Sequence, residues 1–140
     1  MKVYAFPADD TGCGYYRLIW PAQELKARGY DVQVVHNARE FLQAEVIGAR
    51  MDRGQMVGGK VLRVHGPSDA DVIVLQRPLM RYLSQSVEVL RSQGLTVVVE
   101  MDDDLSSIHP KHFAYPKFDP RRNTEINWDW AERGCDTATM

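Results

Sequence analysis

Four short apolar runs, separated by segments with helical periodicity, constrain the fold of this sequence more than any other feature. They cover residues 2–6, 31–36, 71–76 and 95–100. Each run has the length of a strand, and the last two are apolar at nearly every position, as in strands buried on both faces. Strands that alternate with helices pair in parallel through crossover connections. We therefore expect an α/β fold, an open parallel sheet with helices on both faces.

Two segments between these runs predict crossover helices. The first begins near Tyr15 and ends near Arg28, where Gly29 suits a helix C-terminus. Pro21 lies inside it, so the helix either begins later than Tyr15 or kinks near Arg17. The second helix is expected over residues 78–94, with an apolar face that points inward.

The middle of the chain has a less regular pattern. Residues 38–50 carry apolar side chains at mixed spacing, which predicts a helix. Gly54, Gly58 and Gly59 then interrupt the pattern, and residues 60–65 alternate as a short strand does.

The C-terminal region begins with a long loop. It runs for about twenty residues after Glu100, which is long for a connection within a compact domain. Residues 125–133 predict a short helix that ends at residues 134–136, and residues 137–140 predict the start of another strand. Trp128 and Trp130 are two positions apart and cannot share a helix face, so we expect one of them to be exposed or to face a partner. The chain is thus expected to be one domain, residues 1–140, that stops before its last strands.

Composition excludes several classes of protein. Among 140 residues, 17 Lys and Arg stand against 19 Asp and Glu, so there is no overall basic field for coating a nucleic acid. Cys13 and Cys135 have neither the density of a disulfide scaffold nor the paired spacing of a zinc site. No apolar run approaches the roughly 18 residues of a membrane span. A cytoplasmic protein without a membrane span is the expectation.

A glycine loop follows the first predicted strand, at the sheet edge where open α/β folds bind ligands. Gly12-Cys13-Gly14 precedes a helix, and Arg17 in its first turn is placed to bind a phosphate. The sequence lacks the third glycine of a dinucleotide fingerprint and the Gly-Lys-Ser/Thr of a Walker loop. Two alternatives stay open: an anion-binding loop, or a tight turn beside a surface cation. Cys13 is either a thiol with a lowered pKa or a small packing residue.

An acidic run follows the last predicted strand. Asp102 and Asp104 have a spacing that can bind a divalent metal together with His109 or His112. Alternatively one carboxylate accepts a proton from a substrate hydroxyl, for which we select Asp103 as the catalytic residue. The third alternative is a helix cap before residues 105–108. Pro110 prevents a helix that would align the two histidines, which argues against a zinc site there, and the metal is the alternative that we favour least.

Residues 105–122 combine aromatic side chains with four cations and one acid. Such a loop either stacks on sugars or bases and holds phosphates, or covers its own aromatic side chains.

These pieces together resemble the N-terminal domain of a GT-B type glycosyltransferase, similar to the glycosyltransferase-4-like forms of bacteria and phages. The resemblance rests on residues 12–17 with Pro21-Ala22 and Leu25, on Gly29-Tyr30-Asp31-Val32, on residues 71–77, and on the strand that leads into residues 102–105. Tyr30 occupies a position where that family usually has histidine. The resemblance implies one Rossmann-like lobe of two, and it covers nearly the whole chain.

The resemblance also implies roles for individual residues. Contacts with the donor phosphates would fall to Gly12, Cys13, Gly14, Tyr15 and Arg17. The acceptor side would include Arg77, Asp102, Asp104 and His109. It implies no bound cofactor, with a nucleotide-sugar as co-substrate and a small molecule or glycan as acceptor. The donor would be held by a C-terminal domain or partner chain, without which the 140 residues are expected to be inactive.

Two other functions remain open. The chain is alternatively a non-catalytic Rossmann-like module for binding or protein interaction. A third hypothesis, suggested by the basic and aromatic loop, makes a nucleic-acid base the acceptor.

Overall fold

The computed structural model describes all 140 residues, which form an α/β fold around a four-stranded parallel sheet. A helical segment in three parts follows the first strand, and an antiparallel hairpin follows the second. The elements in chain order are β1 (Lys2–Phe6), α1 (Gly12–Gly14), a π-helical turn (Tyr15–Ile19), α2 (Trp20–Ala27), β2 (Asp31–Val34), α3 (Ala38–Phe41), β3 (Gln43–Asp52), β4 (Gln55–His65), β5 (Val72–Gln76), α4 (Arg81–Ser92), β6 (Thr96–Glu100), a 3₁₀ turn (Leu105–Ser107), α5 (Tyr115–Phe118) and α6 (Trp128–Thr137).

The strand order of the parallel sheet is β2-β1-β5-β6. β1 therefore pairs with β2 on one side and with β5 on the other, so the chain changes direction across the sheet at the β1–β5 boundary. Such a switch point opens a crevice outside the carboxyl ends of the two strands. The predicted parallel α/β sheet is confirmed.

Alternating side chains of the strands form the core on one face of the sheet. Tyr4 and Phe6 of β1 lie beside Ile73 and Leu75 of β5, and Val97 of β6 extends the row. Helix α4 adds Val87 and Leu90, and the hairpin adds Val61 and Val64. Each fully buried side chain of this size contributes about 1.5–3 kcal/mol relative to an exposed one.

The prediction of a helix over residues 38–50 is wrong. Only α3 is helical there, and the chain then forms β3, which pairs with β4 through a turn at Arg53 and Gly54. Both turn residues have positive φ (48° and 78°), as a two-residue hairpin turn requires. The hairpin forms a two-stranded sheet apart from the parallel one, and the strand predicted at residues 60–65 is the second half of β4.

Pro21 is accommodated by a π-helical turn. The helix begins at Gly12, earlier than predicted, and Trp20 donates its N–H to the carbonyl of Tyr15, five residues back. The wider turn places Pro21 in the first turn of α2, where its missing N–H breaks no helical bond. At the other end, Gly29 has a φ of 88°, and Tyr30 donates to the carbonyl of Leu25 as in a Schellman motif.

Helix α6 continues through residues 134–136, where the sequence predicted its end. Gly134 packs against Pro78, whose Cγ would lie 2.8 Å from an added Cβ, so this glycine permits close packing and does not stop the helix. After α6, Thr139 donates its N–H to the carbonyl of Val97 at 2.7 Å, so the final residues hydrogen-bond to β6.

Neither Trp128 nor Trp130 is exposed, since both side chains are half-buried, so the first of the two alternatives expected for them is wrong and the contact with a partner stays a prediction. The Trp128 ring packs on Tyr115, with centroids 5.5 Å apart, and the Arg81 guanidinium lies 4.6 Å from the Trp130 ring centroid. Trp128 is therefore covered by a residue of α5, and Trp130 by a residue of α4. No helix in the structure has the length and apolar character needed to cross a bilayer.

Candidate ligand edge of the sheet

Four of the predicted site residues come together at the carboxyl ends of β1, β5 and β6, and three other residues join them there. The segment after β1 supplies Asp9, Cys13 and Arg17, β5 ends at Gln76 with Arg77 next in the chain, and β6 leads from Glu100 to Asp102. We call these seven residues the edge cluster.

Gln76 joins the three strand ends. Its side chain is buried, and its Oε1 accepts the Ala8 N–H at 3.0 Å. Its Nε2 donates to Glu100 Oε2 at 2.7 Å and to the Cys13 carbonyl at 3.4 Å. The amide thus fixes the glycine loop relative to β6.

Asp9 organises the glycine loop from within. Its Oδ1 accepts the N–H groups of Thr11 and Gly14 at 3.1 and 3.3 Å. An added Cβ at Gly14 would lie 1.9 Å from the Asp9 carbonyl oxygen, so only glycine fits there. The tight-turn alternative is supported by this packing, because the Gly14 N–H binds Asp9 and is not free for a phosphate.

Arg77 is held in a strained conformation between two carboxylates. Its φ is 46°, in the left-handed region, where a residue other than glycine costs about 1–3 kcal/mol. The guanidinium pairs with Asp9, and its Nε lies 3.7 Å from Asp102 Oδ1. The backbone N–H of Arg77 donates to the Glu100 carbonyl at 2.9 Å.

Asp102 is the most deeply buried acid of the cluster, with a side chain 7% exposed. Both of its carboxylate oxygens are buried and neither has a hydrogen-bond partner of ordinary geometry. Burial raises the pKa of Asp102, but the Cys13 thiol and the Arg77 guanidinium outweigh it, so the pKa lies below its usual value. The group is therefore ionised at neutral pH.

The pKa of the Cys13 thiol is shifted in the opposite direction, upward. Contact with the Asp102 carboxylate raises the pKa of the thiol, and burial raises it further. A thiolate is therefore disfavoured, and the interpretation of Cys13 as a packing residue agrees with the structure better than a nucleophile does.

Arg17 forms an ion pair with Glu100, and this contact raises the pKa of the guanidinium. The Arg17 side chain is about half exposed, while Glu100 is mostly buried. A phosphate at the helix N-terminus would have to compete with Glu100 for this arginine.

The other predicted site residues lie outside the edge cluster. Asp103 is exposed and has no hydrogen-bond partner, so its role as the catalytic residue stays a prediction. Asp104 caps the 3₁₀ turn by accepting the Ser106 N–H at 3.0 Å, as the capping alternative proposed. Contact with Ser106 lowers the pKa of Asp104. Tyr15 is 41% exposed and packs against Tyr16.

The two histidines of the long loop serve local turns. Nδ1 of His109 accepts the Lys111 N–H at 3.1 Å, and Nδ1 of His112 accepts the Ala114 N–H at 3.2 Å. The structure brings no three metal-ligating side chains together anywhere in the chain.

The basic and aromatic loop is partly folded onto itself. Asp119 is buried, and its carboxylate accepts two hydrogen bonds from Arg121. Nε donates to Oδ1 at 3.0 Å, and Nη2 donates to Oδ2 at 2.9 Å. Arg121 also donates to the Tyr115 hydroxyl at 2.7 Å, whereas Phe113 is almost fully exposed. These polar side chains of the loop therefore form hydrogen bonds with one another.

Sequence reasoning did not assign Asp9, Gln76 or Glu100 to the site. Gln76 and Glu100 are polar residues that end two apolar strands, and this position at the ligand edge was an available signal. Asp9 lies in a cluster of turn residues, and nothing in its neighbours indicates that it binds Arg77.

No family model, curated protein or solved structure matches this chain.

Proposed function

We propose that this chain is the acceptor-binding lobe of a GT-B type glycosyltransferase, with one Rossmann-like domain. The observation that carries the proposal is the buried Asp102 carboxylate. It follows β6, it lies against Arg77 and the Cys13 thiol at the ligand edge of the sheet, and its two oxygens accept no hydrogen bond of ordinary geometry. Buried polar groups are almost always paired in proteins, and exceptions often belong to binding or catalytic sites.

Asp102 has the properties needed to bind an acceptor hydroxyl. An ionised carboxylate accepts a hydrogen bond from the attacking O–H and orients it, and it can receive the proton as the new glycosidic bond forms. Because both oxygens are covered, residues 102–104 must move outward to admit the acceptor. Arg77 stabilises the charge from one side.

The donor phosphates belong on the opposite side of the edge cluster in this proposal. Arg17 lies beyond the glycine loop, with its guanidinium against Glu100. A phosphate that approached from a second lobe would share or replace this carboxylate, and the N-terminal end of the helix would favour the negative charge.

A second candidate, a non-catalytic binding module, is favoured by one observation. The charged groups of the edge cluster already neutralise each other, with Arg17 on Glu100 and Arg77 on Asp9. Because these charges are already paired within the protein, the cluster does not require a charged substrate to neutralise them.

The experiment that tests the proposal is nucleotide-sugar turnover, measured for the chain alone and with a donor-binding half supplied on the same chain or as a separate protein. We expect turnover only when both halves are present. No turnover with both halves would contradict the proposal. Full retention of every activity in a variant with Arg17→Ala and Asp102→Asn would favour the binding module.

A further inference from the structure

A cavity of about 380 Å³ lies away from the edge cluster, between the hairpin, the N-terminus of α4 and the segment before α6. No residue of the edge cluster lines it. Its volume is within the range of small-molecule sites, about 300–1,000 Å³. Apolar side chains from all sides form most of its wall, including Leu42, Val46, Met56, Val61, Met80 and Ile126.

Two polar atoms in this wall have no hydrogen bond, the Tyr82 hydroxyl and Nε of Arg81, and only the hydroxyl also lacks an ion-pair partner. Tyr82 lines the cavity, and its hydroxyl is buried without a hydrogen bond. Burial raises the pKa of Tyr82 to about 12 against the opposing effect of the nearby Arg39 guanidinium, so the hydroxyl keeps its proton and is a donor throughout the physiological range. A buried donor without an acceptor favours any ligand that brings one.

Cations exceed anions around the cavity. Arg39 forms no ion pair; its guanidinium lies 5.6 Å from the Tyr82 ring centroid and contacts the thioether sulfur of Met80 at 3.0 Å. A thioether is a weak acceptor, so this solvent-exposed arginine has no strong partner within the protein. Arg81 lies 3.2 Å from Glu125, and that carboxylate also accepts the Gly58 N–H at 3.1 Å.

Helix α4 adds a further positive contribution. It is 12 residues long, it has no side-chain cap at Met80, and its first turn contains no acidic residue. Met80, Arg81 and Tyr82 at this end of the helix all line the cavity. The Arg81 N–H at this end donates to the backbone carbonyl of Glu125 at 2.8 Å, and the Arg81 side chain is paired with the Glu125 carboxylate. The unpaired charge is therefore that of the Arg39 guanidinium, to which the helix dipole adds.

We propose that this cavity binds a small organic monoanion, a carboxylic acid with an aliphatic or aromatic body. The carboxylate contacts Arg39 and accepts a hydrogen bond from the Tyr82 hydroxyl, after a small shift of that buried side chain. The apolar body lies against Leu42, Val46 and Val61. Glu125 repels a second negative charge, which favours a monocarboxylate over a phosphate dianion.

This site is independent of sugar transfer at the edge cluster. It is tested with the full chain by titration calorimetry, with 4-phenylbutyrate as the probe and 4-phenylbutanamide, its uncharged analogue, as the matched ligand. We expect saturable binding of the acid and at least about tenfold weaker binding of the amide, as expected for loss of a charge-assisted hydrogen bond.

Two variants test whether the carboxylate of the probe contacts Arg39 and Tyr82. Arg39→Gln should weaken binding at least about tenfold, and Tyr82→Phe, which removes only an unpartnered hydroxyl, about threefold or more. Asp102→Asn, a variant of the edge cluster, should bind the probe as the wild type does. Thermal unfolding of each variant confirms that it is folded.

The proposal is overturned by any of three results: no saturable binding of the acid at millimolar concentration, equal binding of acid and amide, or unchanged affinity in Arg39→Gln or Tyr82→Phe. A loss of binding in Asp102→Asn alone would move the site to the edge cluster. Failure of nucleotide-sugar turnover would leave this result untouched.

Discussion

The Nε atom of Arg77 lies 3.7 Å from Oδ1 of Asp102, close enough for charge attraction but without hydrogen-bond geometry. The guanidinium forms its close contact with Asp9 on the other side. Asp102 is thus stabilised as an anion by Arg77 and the Cys13 thiol, while the lone pairs of its oxygens accept no hydrogen bond of ordinary geometry. In the proposed function these lone pairs receive the acceptor hydroxyl.

Gly14→Ala should destabilise the fold by about 1–3 kcal/mol, because the new methyl group would overlap the Asp9 carbonyl and force the loop apart. Urea unfolding measures the change. Gly12→Ala is the matched variant: it also adds one methyl group, but into open space at a φ of 45°, and should lose about 1 kcal/mol from backbone strain. Equal stability of the Gly14 variant and the wild type would show that the loop does not pack this closely.

Leu42→Ala should lower the free energy of unfolding by about 2–5 kcal/mol, since this side chain is 1% exposed and joins the hairpin to the core. Ile47→Ala, on the exposed side of β3, should change it by no more than about 0.5 kcal/mol. Chemical denaturation compares the two. Similar losses would mean that the hairpin is not packed in the orientation described.

Acid should weaken the loop around Asp119. The Arg121 side chain lowers the pKa of Asp119, so its contribution to stability is present above the ordinary carboxyl value and is lost as the pH falls through the lowered pKa. Asp119→Asn should therefore have a lower melting temperature at pH 7, with the gap to wild type closing below about pH 4.

Melting temperatures recorded across this pH range check that prediction. Asp103→Asn is the control, because this side chain is exposed and has no hydrogen-bond partner, and its melting curve should follow the wild type at every pH. If the difference in melting temperature between Asp119→Asn and the wild type stays constant with pH, the ion pair of Asp119 with Arg121 does not stabilise the fold.

Glu100→Gln should raise the affinity for a nucleoside diphosphate by about fivefold, because it releases Arg17 from a pair worth up to about 1 kcal/mol. Titration calorimetry with UDP measures the affinity. Adding Arg17→Ala to this variant should remove the gain. If Glu100→Gln binds UDP no better than the wild type, Arg17 does not contact the donor phosphates.

The strands of the parallel sheet were predictable because each is a short apolar run bounded by turn residues. The hairpin was not, since β3 is largely exposed and its apolar residues Val46 and Ile47 face opposite sides, a pattern that also fits a helix. Its identity depends on the left-handed turn at Arg53, a residue type that gives no local signal for positive φ.

The position of the edge cluster was also predictable, because the carboxyl ends of parallel strands converge. The choice among Asp102, Asp103 and Asp104 was not. Which carboxylate turns inward depends on how the chain leaves β6, and a change of one residue in that path exchanges a buried acid for an exposed one.

The most direct test of the proposed function is the rate of nucleotide-sugar turnover by Asp102→Asn beside Asp103→Asn, in the presence of the donor-binding half. Asparagine keeps the size of the side chain but cannot accept the hydroxyl proton. We predict a loss of at least about 100-fold for Asp102→Asn and a change within about threefold for Asp103→Asn. The opposite order, or equal activity of Asp102→Asn and wild type, would contradict the assignment of Asp102 as the acceptor-binding carboxylate.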